Sequence, residues 1–377
     1  MESYLTAEIS ASAVAHNLAQ LRKCIKKGTR MCGVVKADCY GHGLDLLLGT
    51  IAKKCDCLAV AAPQEAIHLR RLGYEGPVLC FFTPCAFDDS KVLRDALDEM
   101  ILRDVTLTVT TAGEIPLVAE AARRVGKAAG VNMKIDTGMG RSGIVAEHAA
   151  ALAAIILAQH NVTLTGMYSH LACADDDDKS SAKAQVARFK AAGSSLPHRS
   201  SLTLHLANSA GTIDMRDSHF DMVRPGIAVY GYQPSDQMHK VLPLRPALRL
   251  TGPLMQVKDV QAGQSCGYGL TYTFPRDGRM GLVPIGYGDG YFRNLSNKAV
   301  MRVCGKDAPI RGRVSMDQII IDLSCIPEAK VGQEVEIISN DPQASNSVEN
   351  LARLAGTIPY EITCRLMGRR ISKVLVK

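Results

Sequence analysis

The sequence predicts an α/β protein: an N-terminal (β/α)8 barrel of the TIM type over residues 10–235, followed by a mainly β C-terminal domain over residues 236–377 that also takes a strand from residues 1–9. Three observations predict this. From about residue 10 to residue 230, short apolar runs alternate with helical segments, the pattern of repeated βα units in a parallel sheet. The runs number eight, at 31–37, 57–61, 77–82, 105–109, 131–136, 164–169, 202–207 and 222–230. After Tyr232 the texture changes to short alternating segments broken by Gly, Pro and Asp, at 279–285, 300–304, 319–323 and 334–338, which reads as a second, β-rich unit.

The eight runs are nearly continuous in hydrophobicity, as strands buried on both faces are, and eight of them fit a closed barrel better than an open sheet. Between them, Val14, Leu18, Leu21 and Ile25 recur at spacings of four, three and four, one face of a helix capped by Ser10 or Ser12. Further helices are expected at 44–54, 64–71, 145–158 and 181–192, the last charged enough to lie outside a barrel. A chain of 377 residues that is 47% apolar can bury cores for two such units.

Net charge is +7, which suits an anionic ligand such as a phosphate ester or a carboxylate. The basic residues are dispersed apart from the tail positions Arg369, Arg370, Lys373 and Lys377, so nucleic acid is not expected as a partner. The 12 cysteines include no C-x-x-C pair and read as reduced buried thiols. The first ten residues carry two glutamates and no basic start before an apolar run, and no stretch approaches membrane-spanning length, so no membrane association is expected and the cytoplasm is the default compartment. Four aspartates at 175–178 read as a solvated loop in preference to a metal site.

In a barrel the chemistry sits at the C-terminal ends of the strands. Lys36 ends the first run, Asp136 the fifth with Arg141 following, and His170 the sixth; Asn208 and Ser209 end the seventh, and Arg224 lies in the eighth. A lysine set among Val34, Val35 and Ala37 is costly to keep charged, so burial should lower its pKa and favour imine formation; the competing reading is a lysine that snorkels to the rim. Phosphate sites in such barrels use the loops after strands seven and eight, where Ser209 offers a hydroxyl and the Gly226–Ile227 backbone can come close. In the second domain Tyr268 stands between Gly267 and Gly269, which leave it room to project, while Asp289 with Gly290 reads as a hairpin turn.

The run 34–43, Val-Val-Lys-Ala-Asp-Cys-Tyr-Gly-His-Gly, resembles the cofactor-lysine motif of the alanine racemase family. The resemblance continues in order through 134–143, 169–175, 205–210, 224–231, 268–273, 285–290, 315–318 and 357–361, nearly the whole chain. It implies that Lys36 holds pyridoxal 5'-phosphate, that Tyr40, Ser209, Gly226, Ile227 and Tyr360 surround the phosphate, and that His170 and Arg224 belong to the cofactor site, with Arg224 facing the pyridine nitrogen. It also implies that Arg141 and the Met316 backbone hold the substrate carboxylate, and that Lys134 matches a position often carbamylated to orient that arginine. Tyr268 and Met316 would reach the site from the partner subunit, making a homodimer with shared active sites. Asp38 and Cys39 depart from the more usual Asn and Ala, and the aspartate run lengthens a loop.

Racemisation removes a proton from one face of a planar centre and returns one to the other, so two acid/base groups are needed on opposite sides. The resemblance assigns Lys36 to the D-alanine proton and Tyr268 to the L-alanine proton. A phenol with an ordinary pKa of about 10 is a poor base at neutral pH and needs positive charge nearby, a role open to His170 and Arg224. Serine or a broader amino-acid range stays open as substrate, since one small group shifts discrimination by only about 1–3 kcal/mol. A barrel-type decarboxylase would place a carboxylate where Arg224 stands, and a non-catalytic pyridoxal phosphate carrier would leave Tyr268 and the residues after 240 unexplained. D-alanine supply for peptidoglycan precursors and L-alanine breakdown both fit the reading.

Overall fold

The computed structural model describes residues 4–84, 90–366, 368 and 370–377. Arg369 of the basic tail lies outside the described residues. Eight parallel strands close on themselves: Arg30–Val34, Cys57–Val60, Val78–Cys80, Val105–Val109, Ala129–Asp136, Val162–Tyr168, Thr203–His205 and Met222–Val223. Met222 pairs with both Arg30 and His205, which seals the last strand against the first. Each of the eight apolar runs therefore carries a barrel strand. The run at 222–230 is shorter as a strand than its hydrophobicity suggests. Only Met222–Val223 pairs; Pro225 has no N–H to offer a ladder, and Ile227–Tyr230 coils into a buried 3-10 turn.

The helix Ala11–Cys24 starts at Ser10, whose hydroxyl accepts from the Ala13 N–H at 3.2 Å, and buries Val14, Leu18 and Leu21 against the barrel. Leu44–Ala52, Pro63–Arg71 and Ser180–Ser194 fall where helical periodicity put them. The helix expected at 145–158 is shorter, Ala149–Leu157, because Ile144–Val145 pairs beside the strand Ala129–Asp136 and Ala146–His148 forms a 3-10 turn.

The remaining chain is mainly β. A six-stranded sheet runs in the order Lys306–Pro309, Val300–Val303, Glu334–Ile338, Leu248–Pro253, Leu5–Ser10 and Ile371–Val376. Leu5–Ser10 lies inside it, antiparallel to Leu248–Pro253 and parallel to Ile371–Val376, and its alternating burial matches a strand with one face on a core. A three-stranded sheet joins Gln256–Val260, Gly278–Val283 and Ile319–Asp322. Two helices break the β texture, Val348–Ala355 and Pro359–Arg365, and the second packs against the turn that follows the first barrel strand. Among the described residues no helix is long and apolar enough to cross a membrane.

Candidate active site

A cavity of about 440 Å³ opens at the C-terminal ends of the barrel strands. Lys36, Lys134 and Arg141 line it together with His170 and Arg224. Tyr40, Ser209, Gly226, Ile227 and Tyr360 line its other parts. Ten of the expected site residues thus meet in one space. Tyr268 and Met316 do not, and stand 71% and 54% exposed on the second domain.

Lys36 lies two residues beyond the end of its strand, at the start of a turn whose next four residues, Ala37 to Tyr40, have positive φ. Its amine is pulled below the ordinary lysine value, chiefly by burial and then by the Arg141 guanidinium. Lys134, on the strand Ala129–Asp136, is pulled down to about 8 by the same two causes and by Arg224. Burial and neighbouring cations together lower the proton affinity of both amines.

Arg224 is 3% exposed and is held from three sides. Its guanidinium donates to His205 Nδ1 at 2.9 Å, to the Ser169 carbonyl at 2.7 Å and to the Leu206 carbonyl at 3.2 Å. Beneath it the Tyr168 ring lies 5.2 Å from the guanidinium carbon and stacks on His205 at 5.1 Å, 6° from parallel. His205 Nε2 bonds Asn132 Oδ1 at 2.8 Å. A carbonyl oxygen can only accept, so the proton sits on Nε2 and Nδ1 is free to accept from Arg224. Burial and Arg224 both hold His205 neutral. None of Tyr168, His205 and Asn132 was expected as a site residue from sequence.

His170 corrects one expectation. Burial and four surrounding cations, Arg224 first, bring it down to about 3, so at neutral pH it carries no charge. Positive charge for a phenolate therefore has to come from the arginines and lysines.

At the other end Ser209 Oγ accepts from the Gly226 N–H at 2.8 Å and lies 3.4 Å from the Ala228 N–H. Ser209 opens the short helix Ser209–Asp214 and is capped by Asn208, whose side chain accepts from Gly211 N–H at 2.9 Å. Gly226 is required by close approach, since a Cβ there would sit 2.3 Å from the Tyr40 hydroxyl. Tyr40 packs on Tyr230 at 5.2 Å and Tyr360 at 6.0 Å, and burial keeps its phenol protonated. Hydroxyls and backbone N–H groups at this end and an easily deprotonated amine at the other suit a ligand with a phosphate and a carbonyl.

The second domain gathers its own group. The Gly288 N–H donates to the Met316 carbonyl at 2.9 Å, and a Cβ at Gly267 would sit 3.3 Å from the Arg313 backbone nitrogen. Tyr268, Tyr287 and Met316 are each exposed on this domain. Asp289 is not the hairpin-turn residue it resembles: 2% exposed, it pairs with Arg370 at 2.5 Å and accepts from the Gly286 N–H at 3.0 Å. Asp176 to Asp178 are exposed, and among the described residues no group of acids, His or Cys is placed to hold a metal.

Fold and cavity define a class, a barrel enzyme with a lysine-bearing cationic pocket at the strand ends. The models for the alanine racemase N-terminal and C-terminal domains match residues 9–234 and 247–375. An alanine racemase of Syntrophobacter fumaroxidans is 38% identical over 96% of this chain and 95% of its own length, and one of Desulfovibrio desulfuricans is 36% identical over 98% of both. The crystal structure of alanine racemase from D-cycloserine-producing Streptomyces lavendulae superposes with a TM-score of 0.91 at 33% identity, covering 100% of this chain and 98% of that one. The chain belongs to the alanine racemase family and is an isomerase.

Proposed function

We propose that this chain interconverts L- and D-alanine with pyridoxal 5'-phosphate held in the barrel cavity, moving the α-proton with Lys36 on one side and Tyr268 of a second copy on the other. The observation that carries the reading is the division of the site residues: ten line one cavity, and Tyr268 and Met316 are exposed on the second domain, outside its lining. The cavity suits the cofactor. Lys36 supplies an amine biased toward its neutral, nucleophilic form, and Ser209, the Gly226–Ile227 backbone and the Tyr40 and Tyr360 hydroxyls supply a phosphate cradle that a side chain at 226 would fill. Bound there, pyridoxal phosphate supplies a conjugated ring that draws electron density from the substrate's α-carbon.

The chain's own groups do the rest. Lys36 Nζ, with its lowered proton affinity, takes or returns the proton on its face. The Tyr268 hydroxyl does the same on the other face once a homodimer brings it in, helped by the cationic field of Arg141 and Arg224. Arg224 is assigned to the pyridine nitrogen. A guanidinium has no site to accept a proton, so it would disfavour protonation of that nitrogen and would suppress side reactions such as transamination. Arg141 and the Met316 backbone hold the substrate carboxylate. The Lys134 amine, neutral for much of the time at pH 8, is suited to adding CO2 with loss of a proton, giving a carbamate that orients Arg141. The cytoplasm, with D-alanine supply for peptidoglycan precursors, is the setting this reading implies.

Chiral analysis of products from a panel of L-amino acids, with and without added cofactor, tests the proposal. Cofactor-dependent formation of D-alanine is expected; a chain that turned over serine much faster, or gave no D-product, would overturn it.

A further inference from the structure

The turn that carries Lys36 runs against the backbone's preferred hand. Ala37, Asp38, Cys39 and Tyr40 have φ of 50°, 53°, 56° and 54°, a region that costs an L-residue roughly 1–2 kcal/mol each. Such a run persists only where its surroundings over-determine it, and two carboxylates stand out among those surroundings. Glu65 Oε1 accepts from the Ala37 N–H at 2.6 Å, while its Oε2 accepts from Ala61 and Ala62 N–H at 2.8 and 3.0 Å. One side chain thereby joins the loops after the first and second barrel strands. Asp38 Oδ1 accepts from the Leu44 N–H at 2.6 Å, and its Oδ2 meets Lys373 Nζ at 2.6 Å. Lys373 belongs to the strand Ile371–Val376, so this tie crosses from the barrel to the β domain. Asp and Asn enter the left-handed region more readily than other non-glycine residues. An asparagine at 38 would keep that tolerance and the bond to Leu44 but lose the ion pair.

We propose that Glu65 and Asp38 are positioning residues for the cofactor: they hold the left-handed turn in the conformation that presents Lys36 and Tyr40 to it, and Asp38 does so through its charge on Lys373. Neither carboxylate lines the cavity. Glu65 also lies near enough to Lys36 to favour its protonated form, opposing burial and Arg141. The proposal rests on the assignment of pyridoxal phosphate to the cavity and extends it to groups outside that cavity.

The test compares Glu65→Gln, Asp38→Asn, Lys373→Met and the Asp38→Asn/Lys373→Met double variant with the parent. Each protein is stripped of cofactor, titrated with pyridoxal 5'-phosphate by its visible absorbance, and melted without cofactor. Glu65→Gln keeps one acceptor oxygen for three N–H groups and should weaken binding about tenfold or more. Asp38→Asn and Lys373→Met should each weaken it roughly two- to fivefold, and the double variant should be no worse than either single one, as a coupled pair requires. A merely structural role would lower melting and leave affinity alone; the proposal expects Asp38→Asn to lose affinity with its melting temperature unchanged. Affinities within twofold of the parent in every variant, or strictly additive losses in the double one, would overturn it. If Glu65→Gln fails to fold, the Asp38 series decides. Should the parent take up no pyridoxal phosphate, or Lys36→Ala take it up with the same absorbance, the cofactor assignment itself falls and this proposal with it.

Discussion

At the barrel mouth the side chains that matter are held in place. Arg224 has three acceptors, and Ser209 and Tyr40 are buried. On the β domain Tyr268, Leu270, Tyr287 and Met316 are 71%, 65%, 43% and 54% exposed, although the backbone beneath them is tightly bonded. One region is a finished cradle, and the other leaves aromatic and apolar side chains largely open to solvent among the described residues. On the proposed assignment, the difference separates binding from proton transfer. A single chain, its barrel together with Tyr360 of the β domain, should then capture the cofactor, and turnover should wait for a second copy.

The sharpest way to break this comparison is Lys36→Ala, which should abolish the cofactor's visible absorbance and cut activity by about 10³-fold or more. Retained absorbance would show that the barrel does not hold the cofactor through this amine. Next in size, Tyr268→Phe should keep the absorbance while racemisation falls by about 10²-fold or more; normal turnover would remove the β-domain face from the chemistry. Mixing the two inactive variants after dissociation sharpens the point. With sites shared across a two-fold axis, half the dimers are mixed and each has one intact site, so activity should return to about a quarter of the parent's. No recovery would mean that each chain completes its own site.

A smaller change is expected from Arg224→Glu. A carboxylate can share a proton with the pyridine nitrogen, so transamination should rise relative to racemisation, read as pyruvate formed per D-alanine. An unchanged ratio counts against the electronic argument. The smallest effect concerns Lys134, whose amine is brought to about 8 by burial first. Between that value and the ordinary lysine pKa of about 10.4 the unfolded chain binds more protons than the folded one, so this group makes stability rise with pH across the window. After discounting for partial solvent contact the rise is about 1 kcal/mol, and urea midpoints should show it in the parent and not in Lys134→Met.

Much of this was legible in the sequence because parallel strands buried on both faces leave long apolar runs, and because a barrel sends its chemistry to the ends of those runs. The same property hid the rest. In a strand with no polar face, alternation cannot tell which side chains point into the barrel, so Asn132, Tyr168 and His205 were not singled out as site residues. Glu65 escaped because the residue before its helix is Ala62, which lacks the hydroxyl that normally marks such a helix start, although the carboxylate still reaches back to bond the backbone there. The left-handed turn was invisible because Ala37 and Cys39 carry no preference for it. Apolarity at 227–230 reported burial and not pairing.

The chain of bonds under Arg224 continues past His205. Asn132 Nδ2 donates to Thr165 Oγ1 at 3.0 Å, and Asn132, Thr165 and His205 border a small opening at the opposite mouth of the barrel. The imidazole therefore works as a spindle whose far bearing lies outside the catalytic chamber. Removing the amide oxygen at 132 would leave the buried Nε2–H without its acceptor and loosen the ring that receives Arg224. A buried amide beside the opposite mouth thus helps to set the aim of the most deeply set arginine in the cavity.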